Sequence, residues 1–127
     1  HFTSDNKINI FNNSGSLNSC DENIQSAAGY IAENYNKNIT LSDTAQYVNM
    51  SSTYFSKKFK EVTGFGFKEY LLNLRIKKAC KLLLETKLSV TEIAYESGFN
   101  DSNYFGDVFK KNKGISPMQY RKNREFI

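Results

Sequence analysis

The sequence predicts an all-α protein built from two copies of one helical unit. Residues 40–64 are written again at 89–114, with one inserted residue in the second copy. The matching pairs, 49 or 50 positions apart, are Ala45 and Ala94, Tyr54 and Tyr104, Phe55 and Phe105, Phe59 and Phe109, Lys60 and Lys110, and Gly64 and Gly114. Apolar residues within each copy recur at the helical spacings of three and four. A duplicated unit is typical of a protein that makes two similar contacts with a repeating ligand.

Charge is distributed unevenly along the 127 residues. Residues 37–127 contain 16 Lys and Arg against nine acidic residues, whereas residues 1–36 contain one Lys against four acidic residues. A basic balance of this size favours a polyanionic partner such as nucleic acid, although basic surfaces also serve solubility. The apolar content of 39% is enough to bury a core.

Cysteine and histidine usage argues against metal sites and catalysis. Cys20 and Cys80 lie far apart, and His1 is the single histidine, so we expect reduced thiols and no metal, cofactor or catalytic residue. The first residues lack the plan of a signal peptide, and we expect a cytoplasmic protein. Residues 1–21 are rich in Asn and Ser, and the chain begins without Met. We therefore interpret them as a linker from a domain upstream.

Helix starts are marked in the same way in both copies. A first helix begins near Glu22, and its apolar face comprises Ile24, Ala27, Ala28, Ile31 and Tyr35. Thr40 with Asp43 and Ser89 with Glu92 then each form the Ser/Thr-x-x-acid pattern of a capping box. In each copy a short helix, a tight break and a longer helix ending at glycine give the helix-turn-helix plan, and Asp101 caps the longer helix of the second copy. Plain helical hairpins without a ligand remain the alternative at this point.

The second helix of each copy presents a polar face opposite its phenylalanines. In the first copy the outward residues are Thr53, Lys57 and Lys60, with Ser56 on the flank, and this stripe suits a DNA major groove. Leu41, Ala45 and Val48 of the preceding helix face inward. In the second copy the outward residues are Asn103, Asp107 and Lys110, with Gly106 on the flank. This face is less suited to DNA, because phosphates repel Asp107 unless it accepts from a cytosine amino group or pairs with a neighbouring lysine. Both stripes also fit ordinary solvated helix faces.

Two more helices are predicted. Residues 66–86 form one long helix, whose buried residues are Tyr70, Leu74, Ala79 or Cys80, and Leu83 or Leu84. About twenty residues span about 30 Å, close to the roughly 34 Å between successive major grooves on one face of DNA. Ser116, Pro117 and Gln119 then start a short helix that carries Arg121, Lys122 and Arg124, whose cations contact phosphate or complement the helix C-terminus.

From about Glu22 to Lys122 the chain resembles the DNA-binding domain of the AraC/XylS family of bacterial transcription regulators. The motifs that carry this resemblance are Tyr54-Phe55-Ser56-Lys57, Phe59-Lys60, Gly64, Arg75-Ile76, Ala79, Leu82-Leu83, Ile93-Ala94, Gly98-Phe99, Asp101, Tyr104-Phe105, Phe109-Lys110-Lys111, Gly114, Ser116-Pro117 and Tyr120-Arg121. The resemblance implies seven helices in two helix-turn-helix subdomains joined by a long linker helix. The corresponding boundaries are 22–64 for the first subdomain, 65–86 for the linker helix and 87–127 for the second subdomain.

The resemblance also implies which residues contact double-stranded promoter or operator DNA. The expected base contacts are Thr53, Ser56, Lys57, Ser102, Asn103 and Asp107, and the expected phosphate contacts are Ser52, Lys60, Lys110, Lys111, Arg121 and Lys122. Gly106-Asp107 departs from the family's usual Ser followed by Arg or Lys, which puts base recognition by the second subdomain in doubt.

Further partners implied by the resemblance are RNA polymerase and an upstream sensory or receiver domain, since the chain is similar to the output half of response-regulator members. The alternative function is a helical protein-interaction module that binds an acidic partner and shows no preference for one DNA sequence over another.

Overall fold

The computed structural model describes residues 19–123, which form seven α-helices and no β-strand. In chain order the helices are α1 (Ser19–Asn34), α2 (Leu41–Tyr47), α3 (Ser52–Thr63), α4 (Phe67–Glu85), α5 (Val90–Glu96), α6 (Ser102–Lys113) and α7 (Pro117–Asn123). The prediction of an all-α fold with seven helices is confirmed. Of the tail predicted at residues 1–21, residues 1–18 lie outside the described part of the chain, and so does Arg124.

The predicted helix caps form as hydrogen bonds. Thr40 and Asp43 bond each other's backbone N–H groups at 3.0 and 3.1 Å, and Ser89 and Glu92 do the same at 3.0 and 2.9 Å. The bonds from Ser89 lower the pKa of the Glu92 carboxyl. Each reciprocal pair satisfies two backbone donors that a helix start leaves without partners, so the sequence pattern alone determines where α2 and α5 begin.

The chain divides into two compact units. Within the described residues, the N-terminal unit comprises residues 19–34 and Ile39–Leu71, and the C-terminal unit comprises Tyr35–Asn38 and residues 72–123. The boundary falls inside α4, between Leu71 and Leu72, so the long helix contributes residues to both units.

Aromatic rings fill the core of the N-terminal unit. Phe59 is fully buried, with its ring centroid 5.3 Å from Phe55 and 5.0 Å from Tyr70, and Phe67 lies edge-on to both phenylalanines. α1 packs on α2 and α3 and buries Ile24, Ala27, Ala28 and Ile31 as its pattern predicts. The predicted core residues of α3 are confirmed, and its opposite face is thereby left to solvent.

The C-terminal unit repeats this arrangement with different neighbours. Phe109 is fully buried, 5.7 Å from Phe105 and 5.4 Å from Tyr120 between ring centroids. The second half of α4 completes the core with three buried side chains, which are Ile76, Ala79 and Leu83. Leu84, predicted as an alternative to Leu83 in the core, is exposed. No helix in residues 19–123 is long and apolar enough to cross a membrane.

Candidate nucleic-acid interface

α3, the second helix of the helix-turn-helix in the N-terminal unit, presents a polar stripe to solvent. Thr53, Ser56 and Lys57 are exposed on one face, and Lys60 continues that face one turn later. Ser51 caps the helix by accepting from the Tyr54 N–H at 3.2 Å, and Gly64 closes it in the left-handed conformation with φ 84°. Both helix ends are therefore held, and the stripe lies on a rigid support.

The ammonium groups of this stripe are available to a ligand. Lys58 forms an ion pair with Glu61 at 3.4 Å. In residues 19–123 no carboxylate lies within ion-pair distance of Lys57 or Lys60. An unpaired surface ammonium has no protein contact to lose when it binds an anion or an acceptor on a base edge.

A shallow depression of about 420 Å³ adjoins the stripe, and it includes a residue that sequence reasoning placed elsewhere. It is lined by Leu41, Ser52, Thr53, Ser56 and Lys57. Leu41 was predicted to face inward, but it is half-buried and forms one wall. As the first residue of α2, it lies where the apolar stripe of that helix meets the edge of α3. A period of 3.6 does not distinguish this edge position from the core.

α6, the second helix of the helix-turn-helix in the C-terminal unit, is capped in the same manner, but its exposed face carries different side chains. Asp101 caps it by accepting from the N–H groups of Asn103 and Tyr104 at 2.8 and 3.4 Å, and Gly114 closes it at φ 85°. Asn103 and Asp107 are exposed, and Ser102 is half-buried. The structure thus places all three predicted base contacts of this unit at the start and outer face of α6.

Packing does not require the unusual pair Gly106-Asp107. A Cβ added to Gly106 would have no neighbour within 4 Å, so a serine fits there. Across the described residues Asp107 has no ion pair, and its carboxylate is exposed. The sequence interpretation that a neighbouring lysine neutralises Asp107 receives no support, and the carboxylate remains on the outer face as a negative charge.

The predicted phosphate contacts fall into two groups. The first group is exposed and includes Lys110, Lys111 and Lys122, of which Lys110 and Lys111 lie in the last turn of α6. The second group is half-buried and includes Ser52, at the start of α3. Arg121 is half-buried, and its Nε and Nη2 donate to the carbonyl oxygens of Leu83 and Thr86 at 3.0 and 3.2 Å. These bonds hold α7 against the C-terminus of α4, so Arg121 has a structural role, which leaves its phosphate contact a prediction.

Arg75 has a structural role that the sequence did not reveal. Its Nε donates to the Tyr35 carbonyl at 2.8 Å and its Nη2 to the Lys37 carbonyl at 3.0 Å, and its guanidinium lies over the Phe99 ring. Burial lowers the pKa of Arg75. Tyr35, predicted on the apolar face of the first helix, instead lies beyond its end and takes part in this contact.

Potential metal ligands are dispersed in the part of the chain that the structure describes. That part contains no group of three or more His, Cys, Asp or Glu side chains able to hold a metal ion. Burial raises the pKa of the Cys80 thiol, and burial together with the hydrogen bond to Cys80 raises the pKa of Tyr120 to about 12. A raised thiol pKa is the opposite of what an activated nucleophile needs. The side chain of Cys20 lies outside the described residues.

Comparison with known proteins identifies the family. The family model described as "Helix-turn-helix domain" matches residues 44–123. An HTH-type transcriptional regulator in the cgkA 5′ region of Pseudoalteromonas carrageenovora is 42% identical over 99 residues, which are 78% of this chain and 58% of that protein. The melibiose operon regulatory protein of Escherichia coli is 38% identical over 94 residues, 74% of this chain and 31% of its own length. The chain therefore spans less than two thirds of these relatives.

Solved structures agree with this assignment. The C-terminal domain of the two-component response regulator yesN from Fusobacterium nucleatum is 43% identical, with a TM-score of 0.74 over 76% of this chain and 95% of that domain. The DNA-binding domain of AdpA, a global transcriptional factor solved in complex with a target DNA, is 25% identical, with a TM-score of 0.78 over 81% of this chain and 94% of that domain. The resemblance inferred from the sequence is confirmed, and the chain belongs to the AraC-type helix-turn-helix family of transcription regulators.

Proposed function

We propose that this chain binds double-stranded DNA sequence-specifically and regulates bacterial transcription, with α3 and α6 entering successive major grooves. The observation that carries the proposal is the exposed stripe Thr53, Ser56 and Lys57 on a helix capped at both ends. The major groove admits an α-helix and offers each base pair a distinct set of donors and acceptors. The DNA complex of AdpA and the regulators among the relatives support the same function.

In this proposal the two units contribute differently to the recognition of bases. Thr53, Ser56 and Lys57 contact bases from the N-terminal unit, where hydroxyl and ammonium groups donate to acceptors on base edges. Ser102, Asn103 and Asp107 occupy the corresponding positions in the C-terminal unit, where the carboxylate limits base contact. The phosphate contacts are Ser52, Lys60, Lys110, Lys111, Arg121 and Lys122, and they position the protein without carrying sequence information.

The proposal also includes an upstream domain and a protein partner. The similarity to the output domain of a two-component response regulator supports a receiver or other sensory domain upstream, joined through the predicted linker at residues 1–21. A regulator of bacterial transcription acts in the cytoplasm, and RNA polymerase is its expected protein partner. We assign the chain no catalytic activity and no cofactor, in keeping with a family of regulators.

Selection from a random duplex library, followed by a salt titration, tests the proposal. The chain should enrich one sequence and bind it more tightly than random DNA, with affinity falling by orders of magnitude between about 50 and 200 mM salt. Replacing Lys110 or Lys111 with Gln should reduce the slope of log K against log salt by about 1 each while preserving the sequence preference. Lys87→Gln, an exposed lysine outside the proposed contacts, is the matched control. Affinity that is independent of salt and of sequence would contradict the proposal.

A further inference from the structure

The depression beside α3 is lined by both polar and apolar side chains. Ser52, Ser56 and Lys57 contribute hydroxyl and ammonium groups, whereas Leu41 contributes an aliphatic side chain. The exposed residue Thr53 is both polar and apolar, because its β-carbon carries a hydroxyl and a methyl group. An apolar wall within a polar stripe is an arrangement that phosphate binding does not need, since phosphates are held by cations and hydrogen-bond donors alone.

The major groove offers one common apolar feature, the C5-methyl group of thymine, which lies beside the O4 acceptor of the same base. The remaining base edges there present hydrogen-bond donors and acceptors only. The lining therefore matches a thymine edge in both respects: Leu41 and Thr53 offer apolar contact to the methyl group, and a hydroxyl or ammonium group beside them donates to O4.

We infer that the depression receives the methyl group of a thymine, and that Leu41 and Thr53 are specificity-determining residues for that base. The inference rests on the proposed function, since it requires α3 to lie in the major groove. It adds Leu41, a residue of the preceding helix, to the recognition surface. It also specifies the chemistry that Thr53 recognises.

The C-terminal unit serves as an internal comparison. There the positions of Leu41, Thr53, Ser56 and Lys57 are occupied by Val90, Asn103, Gly106 and Asp107. Asn103 has no methyl group, Gly106 has no side chain, and the Asp107 carboxylate repels the O4 acceptor. The thymine methyl effect should therefore appear in the half of the DNA site that contacts the N-terminal unit.

The test uses deoxyuridine, which differs from thymidine only by the missing methyl group. Each thymine of the selected duplex is replaced in turn, and affinities are measured for the 127-residue chain. One position should lose about fourfold in affinity, the equivalent of one buried methyl group. Thr53→Ser removes the methyl group and keeps the hydroxyl, and it should bring the thymine-to-uracil ratio at that position toward one. Thr53→Val keeps a methyl group and should preserve the ratio.

Leu41→Ala should reduce the same ratio, and Leu41→Met, which retains an apolar side chain, should restore much of it. If no replacement of thymine by uracil changes the affinity, although the chain still prefers the selected duplex over random DNA, the inference is overturned and the proposed function is intact. A general loss of affinity in Leu41→Ala with an unchanged ratio would also overturn it, because Leu41 would then contact the DNA backbone. No preference for the selected duplex over random DNA would contradict the proposed function itself.

Discussion

The N-terminal and C-terminal units form their turns with the same hydrogen bonds, whereas the outer faces of α3 and α6 carry different side chains. The Met50 N–H donates to the Ala45 carbonyl and the Phe99 N–H to the Ala94 carbonyl, both at 2.9 Å. Both turns contain a residue with positive φ at the same place, Asn49 at 59° and Gly98 at 98°. The duplicated features are those that the turn requires.

The two units differ where the fold imposes no requirement. A Cβ at Gly106 would meet no neighbour within 4 Å, and Asp107 is exposed, so no packing constraint explains why this pair replaces Ser56 and Lys57. Since the supporting helices are held alike, we propose that the difference concerns the ligand. We therefore expect changes in the shared framework to affect stability in both units, and changes in the outer faces to affect binding unequally.

The largest expected effect concerns the framework. Phe59→Ala and Phe109→Ala should each cost about 3 to 5 kcal/mol of unfolding free energy, because each leaves a cavity among aromatic rings. Denaturant unfolding of both variants measures this cost. Lys60→Ala and Lys110→Ala change the next residue on the exposed face and should stay within about 0.5 kcal/mol of the parent. Unchanged stability in either phenylalanine variant would mean that the core and outer faces have been exchanged.

A smaller loss of stability distinguishes the turn of the C-terminal unit from that of the N-terminal unit. A Cβ on Gly98 would lie 2.4 Å from the Tyr35 carbonyl oxygen and 2.9 Å from Arg75 Nε, at a φ that side chains rarely adopt. Gly98→Ala should therefore cost about 2 to 4 kcal/mol through crowding and backbone strain. Asn49→Ala, which meets only the backbone penalty, should cost about 1 kcal/mol. Equal losses in thermal or denaturant unfolding would show that the contact of residues 35–38 with Gly98 contributes nothing.

The smallest stability effect concerns the residue at the end of the first helix of each turn. Ser97 is buried, and its hydroxyl has no hydrogen-bond partner in the described residues, whereas the equivalent Val48 is buried and apolar. Ser97→Ala should stabilise the chain by about 1 kcal/mol, because the folded state no longer buries an unsatisfied hydroxyl. Val48→Ser is the reciprocal change and should destabilise the chain. Loss of stability in Ser97→Ala would indicate that its hydroxyl has a partner.

Sequence reasoning succeeded where the determinant is local. The capping boxes, the Asp101 cap and the helix ends at Gly64 and Gly114 each involve residues within four positions of one another, and all are found as predicted. The phenylalanines of α3 and α6 follow the helical period, and their burial is also confirmed.

Sequence reasoning failed for side chains whose hydrogen-bond partners are distant in the sequence. Arg75 and Tyr35 are 40 positions apart, and Arg121 and Leu83 are 38 apart, so no spacing rule connects them. In both contacts an arginine donates to backbone carbonyls, a structural role that neither composition nor helical period predicts. Leu41 shows a related limit, because an apolar residue at the edge of a helix follows the same period as one in the core.

We propose that base recognition belongs mainly to the N-terminal unit. A paired titration of Lys57→Ala and Asp107→Asn, against the preferred duplex and its single-base-pair variants, distinguishes the two units. Lys57→Ala should lose about 1 to 3 kcal/mol for the preferred base pair at one or two positions and relax specificity there. Asp107→Asn removes a charge that repels phosphates and should tighten binding to all duplexes alike. Specificity that is lost in Asp107→Asn and untouched in Lys57→Ala would contradict the claim and make the C-terminal unit the one that recognises bases.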